Sequence, residues 1–225
     1  MIDTLLFFGY FAAYLVLLIW EIRLANQHGW NTLSNMLLLV IVGLVYDNAV
    51  LALGRFIGEG NLLEGLSYPR FYMHALFTPL LVLFSLSTLK RAGIQWAFKK
   101  WVGAIFYLIT LSLILYELFI EVHGLSLSAN WEYGVLSYSN AEASSGVPLM
   151  VVMVSIVLII SSLFVWRKQK WIWFFVATVI MFLGNAFPIS LSSAAITNAF
   201  ELILIVGLFF TKKFQDNRLS AHTMR

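Results

Sequence analysis

Seven stretches of the chain are almost unbroken runs of apolar residues, separated by short segments in which polar and charged residues collect. They lie at about Leu5–Ile22, Ser34–Gly54, Phe71–Leu89, Trp101–Val122, Val147–Trp166, Trp171–Ile189 and Ala195–Thr211. Each approaches the roughly 20 residues that a helix needs to cross the hydrocarbon core of a bilayer. No internal repeat, low-complexity stretch or heptad pattern is visible. The pattern predicts an all-α fold, one integral membrane bundle of seven transmembrane helices forming a single domain over residues 1–225.

Composition strengthens this reading. Hydrophobic residues make up 61% of the chain and charged residues 11%, whereas a soluble domain carries about 25% charge. Water could not cover so much apolar surface, so the bilayer is the expected solvent. There are no cysteines, which removes disulfides, thiolate nucleophiles and cysteine-ligated metals. The start, Met1-Ile2-Asp3-Thr4, lacks the basic segment of a cleaved leader. The first run therefore reads as a helix of the mature protein.

The basic residues orient the bundle. If the seven runs alternate across a membrane, twelve of the fourteen lysines and arginines fall on one side. Only Arg55 and Arg70 fall on the other. The positive-inside rule places the richer side in the cytoplasm. The N-terminus is then outside and the C-terminus cytoplasmic, in a multi-pass protein of the plasma (inner) membrane. The basic loops read as topology signals with no further role, and no nucleic acid is implied as a partner. Trp101, Trp166, Trp171 and Trp173 read as interfacial anchors at the cytoplasmic helix ends. Ser67-Tyr68-Pro69 reads as a helix start, and Pro79 as a kink inside the third helix. The segment Gly124–Gly146 carries only Glu132 and Glu142 as charges. With Trp131, Tyr133 and Tyr138 it reads either as a cap over a cavity or as a disordered connector.

Once the helices are oriented, polar residues collect at one depth. At about 1.5 Å per residue, Asp47 and Asn48 lie roughly 10 Å below the outer end of the second helix. By the same rise, His74, Glu117, Asn185, Asn198 and Glu201 lie roughly 5–9 Å below the outer ends of theirs. The inner half has only Glu21 to compare. An ionisable group at mid-membrane costs about 2.5–3.5 kcal/mol or more, so such groups face the bundle interior or a wet cavity. Their convergence implies a cavity open to the outside. Structural readings stand beside the functional one. Asp47 can pair with Arg55, His74 can be a packing histidine, and Asn48, Asn185 and Asn198 can be interhelical amide bonds. Glu121 and His123, nearer the rim, read as solvated.

Several chemistries are excluded. No lysine falls within a predicted span, which removes a retinal Schiff base. No glycine-rich phosphate loop, GxSxG elbow or HExxH motif is present. His74 alone cannot supply a histidine-rich di-iron site. Two acids in a lipid-accessible pocket suit acid–base work on a lipid, because a carboxyl taken out of water tends to keep its proton. An aromatic wall would tolerate a carbocation.

The segment Val45-Tyr46-Asp47-Asn48-Ala49-Val50-Leu51-Ala52-Leu53-Gly54 resembles the aromatic-Asp-Asn segment in the second helix of the small membrane-bound lycopene cyclases. Acids in the second and seventh helices are also similar to those of the membrane-integral terpene cyclases of meroterpenoid pathways. The resemblance implies acid-initiated cyclisation of an isoprenoid or its epoxide without a metal or other cofactor. Asp47 would be the leading proton donor and Glu201 its counterpart, with His74 and Glu117 as further catalytic candidates. Asn48, Arg55, Arg70, Asn185, Asn198 and Trp131 would contact the isoprenoid or other lipid substrate. The chain departs from the pattern in two places. The meroterpenoid families have Glu then Asp, and the lycopene cyclases carry an acidic pair where Arg70 and His74 stand.

Two other classes remain open. In a lipid hydrolase or phosphatase, Arg55 and Arg70 would hold an anionic head. His74 would act as nucleophile or base, or His74 and the carboxylates would bind a divalent metal. A transporter or seven-helix sensor would share the outward pocket.

Overall fold

The computed structural model describes residues 2–141, 149–186 and 193–223. The expected helix limits Val147 and Ile189, the loop residues Glu142 and Gly146, and Arg225 lie outside the described residues. Eight α-helices carry most of the chain: α1 (Ile2–His28), α2 (Met36–Ile57), α3 (Asn61–Phe77), α4 (Leu80–Arg91), α5 (Lys100–Tyr116), α6 (Leu149–Gln169), α7 (Trp173–Ala186) and α8 (Ile196–Thr223). Among the described residues, five spans are long and apolar enough to cross a membrane: Ile2–His28, Leu33–Ile57, Asn61–Arg91, Lys100–Val122 and Leu149–Gln169. Trp173–Ala186 is a shorter apolar helix. Leu5, Phe56, Leu108, Phe119 and Trp101 point outward and are well exposed. So many exposed large apolar side chains suit lipid rather than water.

The third span is broken where the proline pattern predicts a kink. α3 and α4 form one apolar rod interrupted at Thr78-Pro79. Proline has no amide hydrogen and its ring crowds the preceding turn. The ladder there tightens, with Leu81 N and Val82 N donating to Thr78 O and Pro79 O at 3.1 and 3.0 Å. Pro69 behaves differently from expectation. The helix begins at Asn61, so Ser67-Tyr68-Pro69 lies inside α3 rather than at its start. α5 runs on into a π-helical turn, Glu117–Val122.

The middle of the bundle is packed by Tyr14, Ile41, Phe84, Phe174, Ile205 and Phe209. α7 and α8 approach closely at two glycines. A Cβ at Gly184 would strike the Phe200 ring, and one at Gly207 would strike Ala177 Cβ. Small residues at helix crossings allow such approach, which strengthens dispersion contact in lipid.

Most of the described part of the segment expected as a cap or a disordered connector folds as a β-hairpin. β1 (Leu127–Glu132) pairs antiparallel with β2 (Val135–Asn140), Glu132 opposite Val135. Tyr133 and Gly134, the two loop residues, both have positive φ, at 49° and 85°. A type I′ turn requires that at both central positions. The hairpin is seated on helix ends. Thr4 Oγ1 donates to Gly134 O at 3.0 Å, and Gly60 N donates to the Tyr138 hydroxyl at 3.1 Å. Val135 and Leu136 of β2 are buried against the helices.

Its backbone lies directly over Gly54. A Cβ at that position would collide with Leu136 O. Gly54→Ala is therefore expected to unseat the hairpin at a cost of about 1–3 kcal/mol, the usual range for overpacking. The readout is the melting temperature of the purified protein together with protease nicking near Tyr133. An unchanged melting point and no new cleavage would show that the hairpin is not fixed there.

The opposite end of the bundle holds a buried polar network that all reaches α8. Lys212 pairs with Glu21 of α1, and its Nζ also donates to Asn35 Oδ1 at 2.8 Å. Arg91 at the end of α4 pairs with Asp216. Gln215 Nε2 donates to Thr88 O and Gln169 Oε1, both at 3.0 Å. Lys212, Glu21, Gln215 and Asp216 are almost wholly buried. This corrects three expectations. Arg91 and Lys212 are internal ion-pair partners rather than loop charges. The bundle does contain an internal lysine, because α8 continues well past Thr211. Trp171 packs inward, its Nε1 donating to Thr211 Oγ1 at 3.0 Å and its ring stacking on Phe214.

Candidate functional site

A chamber of about 400 Å³ opens beneath the hairpin. Its walls come from α2, α3, the π-helical turn, Met150 of α6, Asn198 and Glu201 of α8, and the hairpin residue Asn140. Asp47, His74, Glu117 and Glu201 all line it. Arg70, Glu121 and Asn198 complete its polar lining apart from Asn140 and Thr78. All four ionisable groups placed at the outer depth thus share one space, joined by Glu121, one of the two residues set apart as solvated. Glu121 is the residue that sequence reasoning missed. Its spacing of four from Glu117 was the available signal, since such positions share a helix face.

The Tyr46-Asp47-Asn48 segment ties α2 to two neighbours. The Tyr46 hydroxyl donates to Leu66 O of α3 at 2.9 Å. Arg70 Nε donates to Asp47 Oδ1 at 2.7 Å. Asn48 is fully buried, donates to Leu44 O at 2.9 Å and accepts from Asn198 Nδ2 of α8 at 3.2 Å. The partner of Asp47 is therefore Arg70 on the next helix and not Arg55 two turns along its own. Arg55 is exposed and absent from the chamber lining. Asn185 bonds within α7, to Met181 O at 3.1 Å, and does not line the chamber. Trp131 is exposed on β1 and also stands off it. His123 is exposed, as expected.

The remaining acids are answered poorly by the protein. Glu201 takes part in no hydrogen bond or ion pair among the described residues. Glu117 is 6% exposed, and its Oε1 is sealed from solvent with no partner. Glu121 receives only a long bond from the Tyr116 hydroxyl at 3.4 Å. His74 Nδ1 lies 3.3 Å from Thr78 Oγ1 beside the Pro79 break. Among the described residues, no three His, Asp or Glu side chains come together in a group that could hold a metal ion.

Below the chamber lies a narrow apolar pouch of about 60 Å³. It is walled by Val151, Val154, Leu158, Leu204 and Ile205, and it shares Val40, Leu44, His74, Thr78 and Glu201 with the chamber. His74 and Glu201 thus mark the boundary between polar and apolar space. Phe71 and Phe77 supply aromatic wall on the α3 side. The arrangement can hold an amphiphile, grip it by polar contacts and present a free carboxyl to its apolar part. No family model, no curated protein and no solved structure matches the chain.

Proposed function

We propose that the protein is a seven-span membrane enzyme that carries out acid–base chemistry on an isoprenoid or other lipid in this chamber. In this reading the N-terminus and the hairpin are external and the C-terminus is cytoplasmic. Acid-initiated cyclisation is the reaction that matches the lining best. The single observation that carries it is Glu201, an unpaired carboxyl facing both the polar chamber and the apolar pouch. Glu201 would give its proton to a terminal alkene carbon or to an epoxide oxygen. The next alkene would close on the resulting cation, forming a carbon–carbon bond beside Phe71 and Phe77. Loss of a proton to a neighbouring carboxylate would end the sequence, so product and substrate are isomers. The local resemblance around Tyr46-Asp47-Asn48 to lycopene and meroterpenoid cyclases supports the same chemistry. This reading reverses the roles that the resemblance implies for Asp47 and Glu201, because Asp47 is held by Arg70 and Glu201 is not. The phosphatase alternative has less support. Arg70 is paired with Asp47 through Nε and Arg55 stands outside the chamber, so among the described residues no guanidinium without a carboxylate partner lines it.

The experiment is incubation of membranes containing the protein with farnesyl- and geranylgeranyl-bearing lipids and their terminal epoxides. Products of unchanged mass, shifted retention and fewer alkene signals are expected. Recovery of unaltered substrates across the panel would overturn the cyclase reading. The topology has its own test. Reporters fused after Gly93 and after Lys213 are expected in the cytoplasm, and one inserted at Ser139 outside. The motive is the distribution of the basic residues. An external reporter after Gly93 would reverse the orientation.

A further inference from the structure

The chamber holds more carboxyl groups than its one arginine answers. Asp47, Glu117, Glu121 and Glu201 line it against Arg70, and Arg70 is already bound to Asp47. That leaves three carboxyls without a cation. Glu117 is the most telling, because it is more than nine-tenths buried and its Oε1 has no partner. A buried polar atom left unanswered costs free energy, and a charged one costs more. Such a group is retained where a ligand completes it. The aromatic wall has the matching character. The Arg70 guanidinium carbon already lies 5.8 Å from the centre of the Phe71 ring, within the range in which ring faces attract cations. Phe77 adds a second ring to the wall. The apolar pouch continues directly from this acidic space, with Glu201 and His74 at the join.

Building on the reading of the chamber as a lipid-handling site, we propose that its ligand is a cationic amphiphile, an alkylammonium whose charged nitrogen sits beside Glu117 and Glu121 with its chain directed past Glu201 into the pouch. A sulfate or phosphate head would meet like charge at these acids. A neutral head could donate a hydrogen bond to Glu117 but would bring no charge to balance the glutamate pair. A free small amine would satisfy the acids and leave the pouch empty, which is why the amphiphile is favoured.

The test is calorimetric titration of the purified full-length protein in a neutral detergent with four probes: hexyltrimethylammonium, tetramethylammonium, hexyl sulfate and hexanol. Hexyltrimethylammonium is expected to bind saturably and at least about tenfold more tightly than the other three, a difference of about 1.4 kcal/mol. Glu117→Gln should weaken it about tenfold, and Glu121→Gln should weaken it in the same direction if Glu117→Gln does not fold. Val151→Phe, which narrows the pouch, should lower the affinity for the hexyl compound and leave that for tetramethylammonium unchanged. Equal binding of hexyl sulfate or hexanol would overturn the proposal. So would equal binding of tetramethylammonium, which would point to a free amine. Unchanged affinity in both glutamate variants would also overturn it. Turnover of neutral isoprenoids with no binding of hexyltrimethylammonium would sink this inference alone. Saturable binding with no turnover of any lipid would support it and remove the cyclisation.

Discussion

Replacing Lys212 with methionine is expected to remove about 3–5 kcal/mol of folding stability, the usual cost of deleting one partner from a buried ion pair. The amine is almost wholly buried, pairs with Glu21 and donates to Asn35 Oδ1. Glu21 is fully buried and its Oε2 already lacks a partner. Removing the amine strands the whole carboxyl where no water can reach it. The penalty belongs mainly to the stranded charge rather than to the lost bond, which gives a sharp second expectation. Adding Glu21→Gln to Lys212→Met should recover most of the loss, since a glutamine places no charge in the gap. The measurement is thermal unfolding of the purified protein across the four combinations of a double-mutant cycle. Additive losses in the double variant would show that the two residues do not act as a pair. The same logic extends to Arg91 and Asp216. The four charged residues and Gln215 join α8 to α1 and α4, with Gln169 adding α6. The end of the bundle away from the chamber is thus closed by charges, while the chamber end is closed by the hairpin.

Helix positions were legible because an apolar run of about 20 residues has few alternatives in a chain this poor in charge. Helical depth also foretold that Asp47, His74, Glu117 and Glu201 would meet, since depth along an oriented helix is simple arithmetic. Partner choice was not legible in that way. Arg55 and Arg70 are both near Asp47 in sequence terms, and only the packing of α3 on α2 decides for Arg70. The far-end network was hidden for a related reason. A lysine just past an apolar run has the same sequence signature whether it faces water or a buried glutamate. Lys212 took the second course because α8 continues beyond Thr211 and keeps it inside the bundle. The hairpin had only weak signals. Its strands are six residues each and alternate poorly, and Gly134 alone hinted at the turn. The π-helical turn that carries Glu117 and Glu121 had no visible signal at all. Such turns often accompany functional sites.

Glu201→Gln is expected to cut turnover of the cyclised lipid by about 10²–10⁴-fold, the range that a positioned acid contributes, with little effect on folding. Glutamine preserves the shape, and Glu201 has no bond for the change to break. Asp47→Asn should behave in the opposite sense. Its carboxylate holds Arg70, whose Nη1 is buried and already without a partner. Weakening that pair should lower the melting temperature, with the activity of the folded fraction falling less than in Glu201→Gln. Asp47→Glu should keep part of the pairing and sit between wild type and Asp47→Asn in stability. The two positions are distinguished by measuring turnover per folded molecule, with folding followed separately by thermal unfolding. Full activity in Glu201→Gln would remove it as the proton donor. If Asp47→Asn then lost all activity while melting normally, the donor role would pass to Asp47, and Arg70 would be the group that positions it. The outcome turns on one structural difference, that of two acids lining the same chamber only one has a cation in contact. A carboxylate locked to a guanidinium is committed as a base and a bridge. A carboxyl with no partner at the mouth of an apolar pouch is the one free to hand a proton to a substrate.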